Sequence, residues 1–173
     1  MTRIVIITGT SGAGKTTVCQ SLADALPGTV AYLSGDTIAL SLFPFDISDD
    51  RRQFIRENCA SFAKHAIAHG YDWVLLEYVI LKDVYVDDLI SRMDLDGQQL
   101  DVIAIDLANR DLLHRLKSKP ENRSKDDRLF EPCYQWAEEI RSMKRPRPFD
   151  STGLSIEQTV DRIGQLLDVE LSK

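Results

Sequence analysis

Apolar residues recur in two rhythms along this chain of 173 residues. Four short runs read as strands: Arg3–Thr8, Thr29–Leu33, Trp73–Glu77 and Leu100–Asp106. Between them the apolar positions fall at helical spacing. The first helical run continues through Leu26, and Pro27-Gly28 turns the chain. A short helix over Thr37–Leu42 stops at Pro44. A longer one opens at Ser48-Asp49-Asp50, carries Ile55, Cys59, Phe62 and Ala66 along one side, and ends at Gly70. Further helices are predicted over Val84–Met93, from about Arg110 to Lys117, and over Pro132–Lys144, the last with Cys133, Trp136, Ala137 and Ile140 on one face. Gly97 marks a turn, and Arg147–Asp150 a short fifth strand. Ser155 caps a final helix built on Ile156, Val160, Ile163 and Leu167. Residues 118–130 are polar and lack apolar periodicity, which predicts a loop or lid spanning about 116–130. Strands alternating with helices predict an α/β domain with a mainly parallel sheet and helices on both faces.

Length and composition fit one domain over 1–173, with 43% hydrophobic residues to build a core. No apolar run is long enough to span a membrane, so the expectation is a cytoplasmic protein with no membrane partner. Cys19, Cys59 and Cys133 form no C-x-x-C pair and are expected to be reduced, packed thiols. The net charge of −6 disfavours a nucleic-acid partner. That charge is uneven. Residues 109–147 hold 11 of the 21 lysines and arginines against 7 acids, which suggests a local anion site.

The anion site has a second signature. Gly9-Thr10-Ser11-Gly12-Ala13-Gly14-Lys15-Thr16 is a complete G-x-x-x-x-G-K-[ST] loop, placed between a strand and a helix. Glycines let successive N–H groups face one anion, and the helix N-terminus adds partial positive charge. Lys15 can reach the β- and γ-phosphates of a nucleotide, and Thr16 can ligate Mg²⁺. Thr17 completes the nucleotide-binding set.

Together with this loop, Ser34-Gly35-Asp36, the stretch Asp106–Leu116 and the tail Asp150–Ile156 carry a family resemblance. The chain resembles a small P-loop kinase of the nucleoside-monophosphate-kinase-like group. The small-molecule branch is the best fit, with its shikimate and gluconate kinases and chloramphenicol phosphotransferase. The resemblance implies a three-layer P-loop fold with a five-stranded parallel sheet in the order 2-3-1-4-5. It also implies phosphoryl transfer from ATP with Mg²⁺ to a hydroxyl of a small-molecule acceptor, in a monomer or homodimer. A nucleoside, nucleotide or polynucleotide 5′-kinase, and a nucleotide-binding regulatory module, are the alternatives.

Asp36 lies two positions past a strand, where an acid can orient an acceptor hydroxyl, and the resemblance implies that role. The same position suits a helix N-cap bonding the N–H groups near Ile38 and Ala39. Glu77 resembles a Walker B acid that serves either Mg²⁺ or the acceptor, and Asp106 reads as a helix entry. Arg115 matches the arginine of the family's Leu-x-x-Arg-Leu pattern, with Arg123 and Arg128 as further catalytic candidates in the lid. The resemblance sets Ser151 and Thr152 against the adenine, and Arg147 stacked on it. The acceptor pocket is expected between the helix after Asp36 and the segments 43–56 and 77–85. Arg56 and Tyr78 are the chosen contacts there, and Phe43, Phe45, Arg51, Arg52 and Tyr85 are also available. His65 and His69 stand four apart on a helix without a third ligand, and Asp94-Leu95-Asp96-Gly97 reads as a turn.

Overall fold

The computed structural model describes residues 1–43, 48–118 and 130–172. The elements follow in the order β1 (Arg3–Thr8), α1 (Lys15–Ala25), β2 (Val30–Ser34), α2 (Gly35–Leu40), α3 (Asp49–Ala68), β3 (Trp73–Glu77), α4 (Asp83–Ser91), β4 (Gln99–Asp106), α5 (Asn109–Ser118), α6 (Glu131–Ser142), β5 (Arg147–Asp150) and α7 (Ile156–Leu166). The strands form one all-parallel sheet in the order β2-β3-β1-β4-β5. This is the P-loop order expected from the sequence.

β1 sits at the centre, and its side chains alternate between two cores. Val5 and Ile7 face α1, α5 and α7, while Ile4 and Ile6 face α3 and α4. All four are fully buried, as a strand covered on both faces requires. Each fully buried aliphatic side chain contributes about 1.5–3 kcal/mol, so this strand anchors both layers.

One helix start departs from the expected boundary and another keeps it. α2 starts at Gly35 rather than Thr37, because Ser34 is its N-cap. α7 starts as expected: Ser155 Oγ accepts from Gln158 N (3.1 Å) and Gln158 Oε1 accepts from Ser155 N (3.0 Å), a complete capping box. Gly70 (φ +74°) terminates α3 as expected. The proposed lid loses its two ends. Leu116 and Phe130 are buried in the core, because Leu116 continues the apolar stripe of α5 begun by Leu112. Residues 119–129 lie outside the described residues, as do Pro44 and Phe45.

Arg56 on α3 is the most deeply placed ion-pair partner of the α3–α4 contact. Its Nε donates to Asp88 Oδ2 (2.7 Å), and its guanidinium lies 4.6 Å from the Tyr85 ring. Arg56 is only 7% exposed, so removing its partner strands a buried charge. Asp88→Ala is expected to cost about 2–3 kcal/mol of stability, read as a fall in the denaturant midpoint. A shift below about 0.5 kcal/mol would show the pair to be solvated.

Candidate active site

In an open parallel sheet, ligands bind beyond the carboxyl ends of the strands. The loop after β1 lies there, and its turn is closed by Ala13 N donating to Thr10 O (3.2 Å). Gly12 (φ +87°) and Gly14 (φ +95°) hold left-handed backbone. Gly14 is the N-cap of α1, no side chain caps the helix, and its first turn carries no acid. The first-turn N–H groups therefore remain available for an anion.

Two helices brace the loop. From α5, Leu116 Cδ2 would lie 2.8 Å from a Cβ added at Gly12, and Arg115 Nη1 donates to Ala13 O (3.1 Å). From α6, Cys133 O accepts from Thr10 Oγ1 (2.8 Å). Gly12→Ala is expected to cost about 2–4 kcal/mol, from left-handed strain together with overpacking against Leu112 and Leu116. Urea unfolding checks this, and an unchanged midpoint would mean that the loop re-forms freely.

Lys15 is buried, and its Nζ donates to Thr10 O (3.3 Å) across the loop. Thr16 Oγ1 donates to Glu77 Oε1 (2.8 Å), so the first turn of α1 and the end of β3 share one centre. Tyr32 from β2 also donates to Glu77 Oε1 (3.1 Å). Sequence reading missed Tyr32, whose aromatic place in a strand signals only packing. Its phenol is pushed up from its ordinary value, chiefly by burial and then by the Glu77 carboxylate. Burial likewise pushes up the nearby Cys19 thiol, aided by Glu77 and opposed by Lys15. Glu77 is 1% exposed, and its buried Oε2 has no hydrogen-bond partner among the described residues. An orphaned buried carboxylate oxygen beside a threonine hydroxyl fits Mg²⁺, which binds few protein oxygens and completes its shell with phosphate and water. No group of three or more histidines, cysteines or acids suited to a metal occurs among the described residues, which include His65 and His69.

Beside the loop lies a cavity of about 270 Å³. Ser11 contributes from the phosphate loop, and Asp36, Ala39 and Leu40 contribute from α2. Arg51, Arg52 and Ile55 come from α3, Tyr78 and Val79 follow β3, and Trp136 comes from α6. Asp36 does not cap α2. It lies in the first turn, after the cap Ser34, and is solvent-exposed on the cavity wall.

Several expected contacts fall elsewhere. Arg56 is held by Asp88 and Tyr85 and does not line this cavity, which Arg51 and Arg52 line instead. Phe43 is 84% exposed outside it. Arg147 begins β5 level with Ile103, and its Nη1 donates to Leu166 O (3.2 Å) and to Asp101 Oδ1 (3.5 Å). Those partners hold it toward the amino end of the sheet, so it does not stack on a base at the carboxyl end. Ser151 N and Oγ both donate to Asp106 O (2.8 and 2.9 Å), and Thr152 Oγ1 accepts from Ala108 N (2.8 Å). The two residues thus fix the loop beyond β5 to the end of β4, where Ser151 is buried. The Asp106 carboxylate is taken by Arg141, through Nε to Oδ2 (2.6 Å) and Nη2 to Oδ1 (3.0 Å). Arg123 and Arg128 lie outside the described residues. Thr17 is exposed on the first turn of α1.

A family model for the AAA domain matches residues 5–140, from β1 through most of α6. The chain belongs to this AAA-domain family. Its fold is shared with a sugar kinase from Janibacter sp., at 20% identity and a TM-score of 0.72 over 98% of this chain and 96% of that one. It is shared equally with a tunicamycin resistance protein of Deinococcus radiodurans, at 16% identity and a TM-score of 0.73 over 100% and 99%. A gluconokinase from Sinorhizobium meliloti aligns at 17% identity and a TM-score of 0.64 over 96% and 95%. No curated protein matches the chain. These likenesses identify a P-loop kinase fold over essentially the whole AAA-family chain. No helix among the described residues is long and apolar enough to cross a membrane.

Proposed function

We propose that this AAA-family protein transfers the γ-phosphoryl group of ATP to a hydroxyl of a small-molecule acceptor. The observation that carries the reading is one cavity lined by both Ser11 of the phosphate loop and the exposed carboxylate of Asp36. A hydroxyl held by Asp36 there lies beside a phosphoryl group held on the loop. The kinase names of its structural neighbours, a sugar kinase and a gluconokinase, support the same reaction class.

In this reading the loop N–H groups and Lys15 bind the β- and γ-phosphates. Thr16 and Glu77 would hold Mg²⁺, which when bound with ATP neutralises charge on those phosphates. The acceptor oxygen attacks the γ-phosphorus, and the bond to the β–γ bridging oxygen breaks. ADP leaves with that electron pair, and the hydroxyl proton passes to an Asp36 carboxylate oxygen. Arg115, tied to the loop at Ala13 O, contributes positive charge on the side facing α5. Ser151 and Thr152 shape the loop against which the adenine rests.

The test is ADP formation with Mg²⁺ and ATP across sugars, nucleosides, nucleotides, aminocyclitols and hydroxylated antibiotics. An acceptor that raises the rate well above the acceptor-free rate, with a phosphorylated product, establishes the transfer. Tight ATP binding with no acceptor dependence would replace it with a nucleotide-binding regulatory module.

A further inference from the structure

We propose that Tyr32 is a positioning residue for the divalent cation of the nucleotide: its hydroxyl occupies Glu77 Oε1, so that the carboxylate offers the cation Oε2 alone. The proposal rests on the kinase reading of the nucleotide site and deepens it.

Strand register is the first argument. β2 runs parallel to β3, with Tyr32 level with Leu75 and Ser34 level with Glu77. Residues two apart on a strand share a face. Leu75 and the Tyr32 ring accordingly join the core beneath α1, and Glu77 meets Thr16 at the start of that helix. The Tyr32 hydroxyl reaches onward from the core to Glu77 Oε1 (3.1 Å). The ring serves packing, as a phenylalanine would. The hydroxyl serves only the carboxylate.

The distribution of donors is the second argument. Thr16 Oγ1 and Tyr32 OH both donate to Oε1, at 2.8 and 3.1 Å, whereas the buried Oε2 has no partner among the described residues. A carboxylate oxygen has about two lone-pair sites, so Oε1 is saturated. If the two hydroxyls served only to offset the burial of a charge, one on each oxygen would leave neither orphaned, and an orphaned buried oxygen is the costlier arrangement. The lopsided pattern reserves Oε2 for a ligand. Thr16 is exposed where α1 begins, and its hydroxyl can keep its proton on Oε1 while a lone pair faces a cation. Tyr32 is the second peg that stops the carboxylate from turning, as outer partners of metal ligands do. One free oxygen suits Mg²⁺, which demands a strict octahedron and keeps much of its water. A carboxylate released from Tyr32 can bind through both oxygens, a mode that Ca²⁺ accepts.

The test is ADP binding by the full chain, titrated calorimetrically in EDTA, in saturating Mg²⁺ and in saturating Ca²⁺. The ratio of the dissociation constant in EDTA to that in metal measures how much each cation adds. Tyr32→Phe is expected to cut the Mg²⁺ ratio by about tenfold and the Ca²⁺ ratio by about threefold or less. The constant in EDTA should stay within about twofold of wild type. Phenylalanine keeps the ring and its packing, so the variant should fold. A merely structural hydroxyl would lower the melting temperature and leave both ratios unchanged. In a Glu77→Gln background, Tyr32→Phe should change neither ratio further, because its effect runs through the carboxylate. Unchanged ratios, an equal fall in both, or a full further loss in the Glu77→Gln background would each overturn the proposal while leaving the kinase reading intact. Wild-type ADP binding that is the same in EDTA and in Mg²⁺ would defeat the metal role of Glu77 and this proposal together. A wild-type chain that binds no ADP under any of the three conditions would defeat the kinase reading itself.

Discussion

Lys15→Met is expected to lower acceptor-dependent ATP turnover by about 10³-fold or more while leaving the chain folded. Lys15 opens α1 and is 5% exposed, with its ammonium donating to Thr10 O across the phosphate loop. That position places a buried positive charge beside the loop, where the proposed nucleotide phosphates would lie. A buried ammonium is costly in the absence of a phosphate, so a methionine of similar length should not weaken the empty fold. With ATP bound the sign reverses. The phosphoryl oxygens then lose a charge-assisted donor in a site where water screens little, and loss of one such group costs about 10²–10³. If Lys15 binds both phosphates as proposed, the ground state weakens as well, and the Michaelis constant for ATP should rise. Steady-state ADP formation with saturating acceptor, alongside a thermal melt, checks both halves. A variant within tenfold of wild type at unchanged melting temperature would remove Lys15 from the reaction.

How far the sequence reveals this site depends on the range of each interaction. The phosphate loop was legible because its requirements are local: left-handed backbone at Gly12 and Gly14, then Lys15 and Thr16 on one helical turn. β1 and β3 were legible because uninterrupted apolar runs have few other uses in an α/β chain. The start of α2 was misplaced by two residues, because Ser34 and Asp36 are both good caps and only the path of the chain chooses between them. On α3, Arg51, Arg52 and Arg56 are equivalent as letters. What separates them is Asp88, 32 residues beyond Arg56, which draws Arg56 onto α4 and leaves its neighbours at the cavity. Arg147 fails as a base contact for a reason of register. Four residues of parallel strand put it level with Ile103, about 10 Å below the carboxyl end. Trp136 was readable as core but not as cavity wall, since its helical period says which face is apolar and nothing about what that face meets.

α6 ties the phosphate loop and the proposed acceptor cavity into one unit. Cys133 O holds Thr10 of the phosphate loop, Trp136 lines the cavity beside it, and Arg141 clamps Asp106 at the end of β4. Three positions on one helix thus touch the loop, the cavity and the sheet. A rigid helix between them fixes the distance from the cavity wall to the phosphate loop, as the proposed transfer between bound groups would demand.

Asp36→Asn is the variant that separates chemistry from binding, and it is expected to lower acceptor-dependent turnover by about 10²–10⁴-fold with ATP affinity unchanged. Among the described residues the Asp36 carboxylate forms no ion pair, with the phosphate loop or elsewhere, and it makes no cap hydrogen bond. Nor does it cap α2, a place held by Ser34, so the amide should not unravel the helix. Asparagine keeps the size and one acceptor oxygen, and the acceptor hydroxyl can still be held. What is lost is the anionic oxygen that takes the hydroxyl proton as the oxygen–phosphorus bond forms. The turnover number should therefore fall far more than the Michaelis constant of the acceptor rises. Slow acceptor-free ATP hydrolysis, which draws its proton acceptor from water, should persist. Single-turnover measurements with bound acceptor distinguish the outcomes. A reduced rate of the chemical step at unchanged acceptor affinity assigns Asp36 to proton transfer. A loss confined to acceptor affinity would make Asp36 an orienting group, and an unchanged rate would place the base elsewhere on the cavity wall.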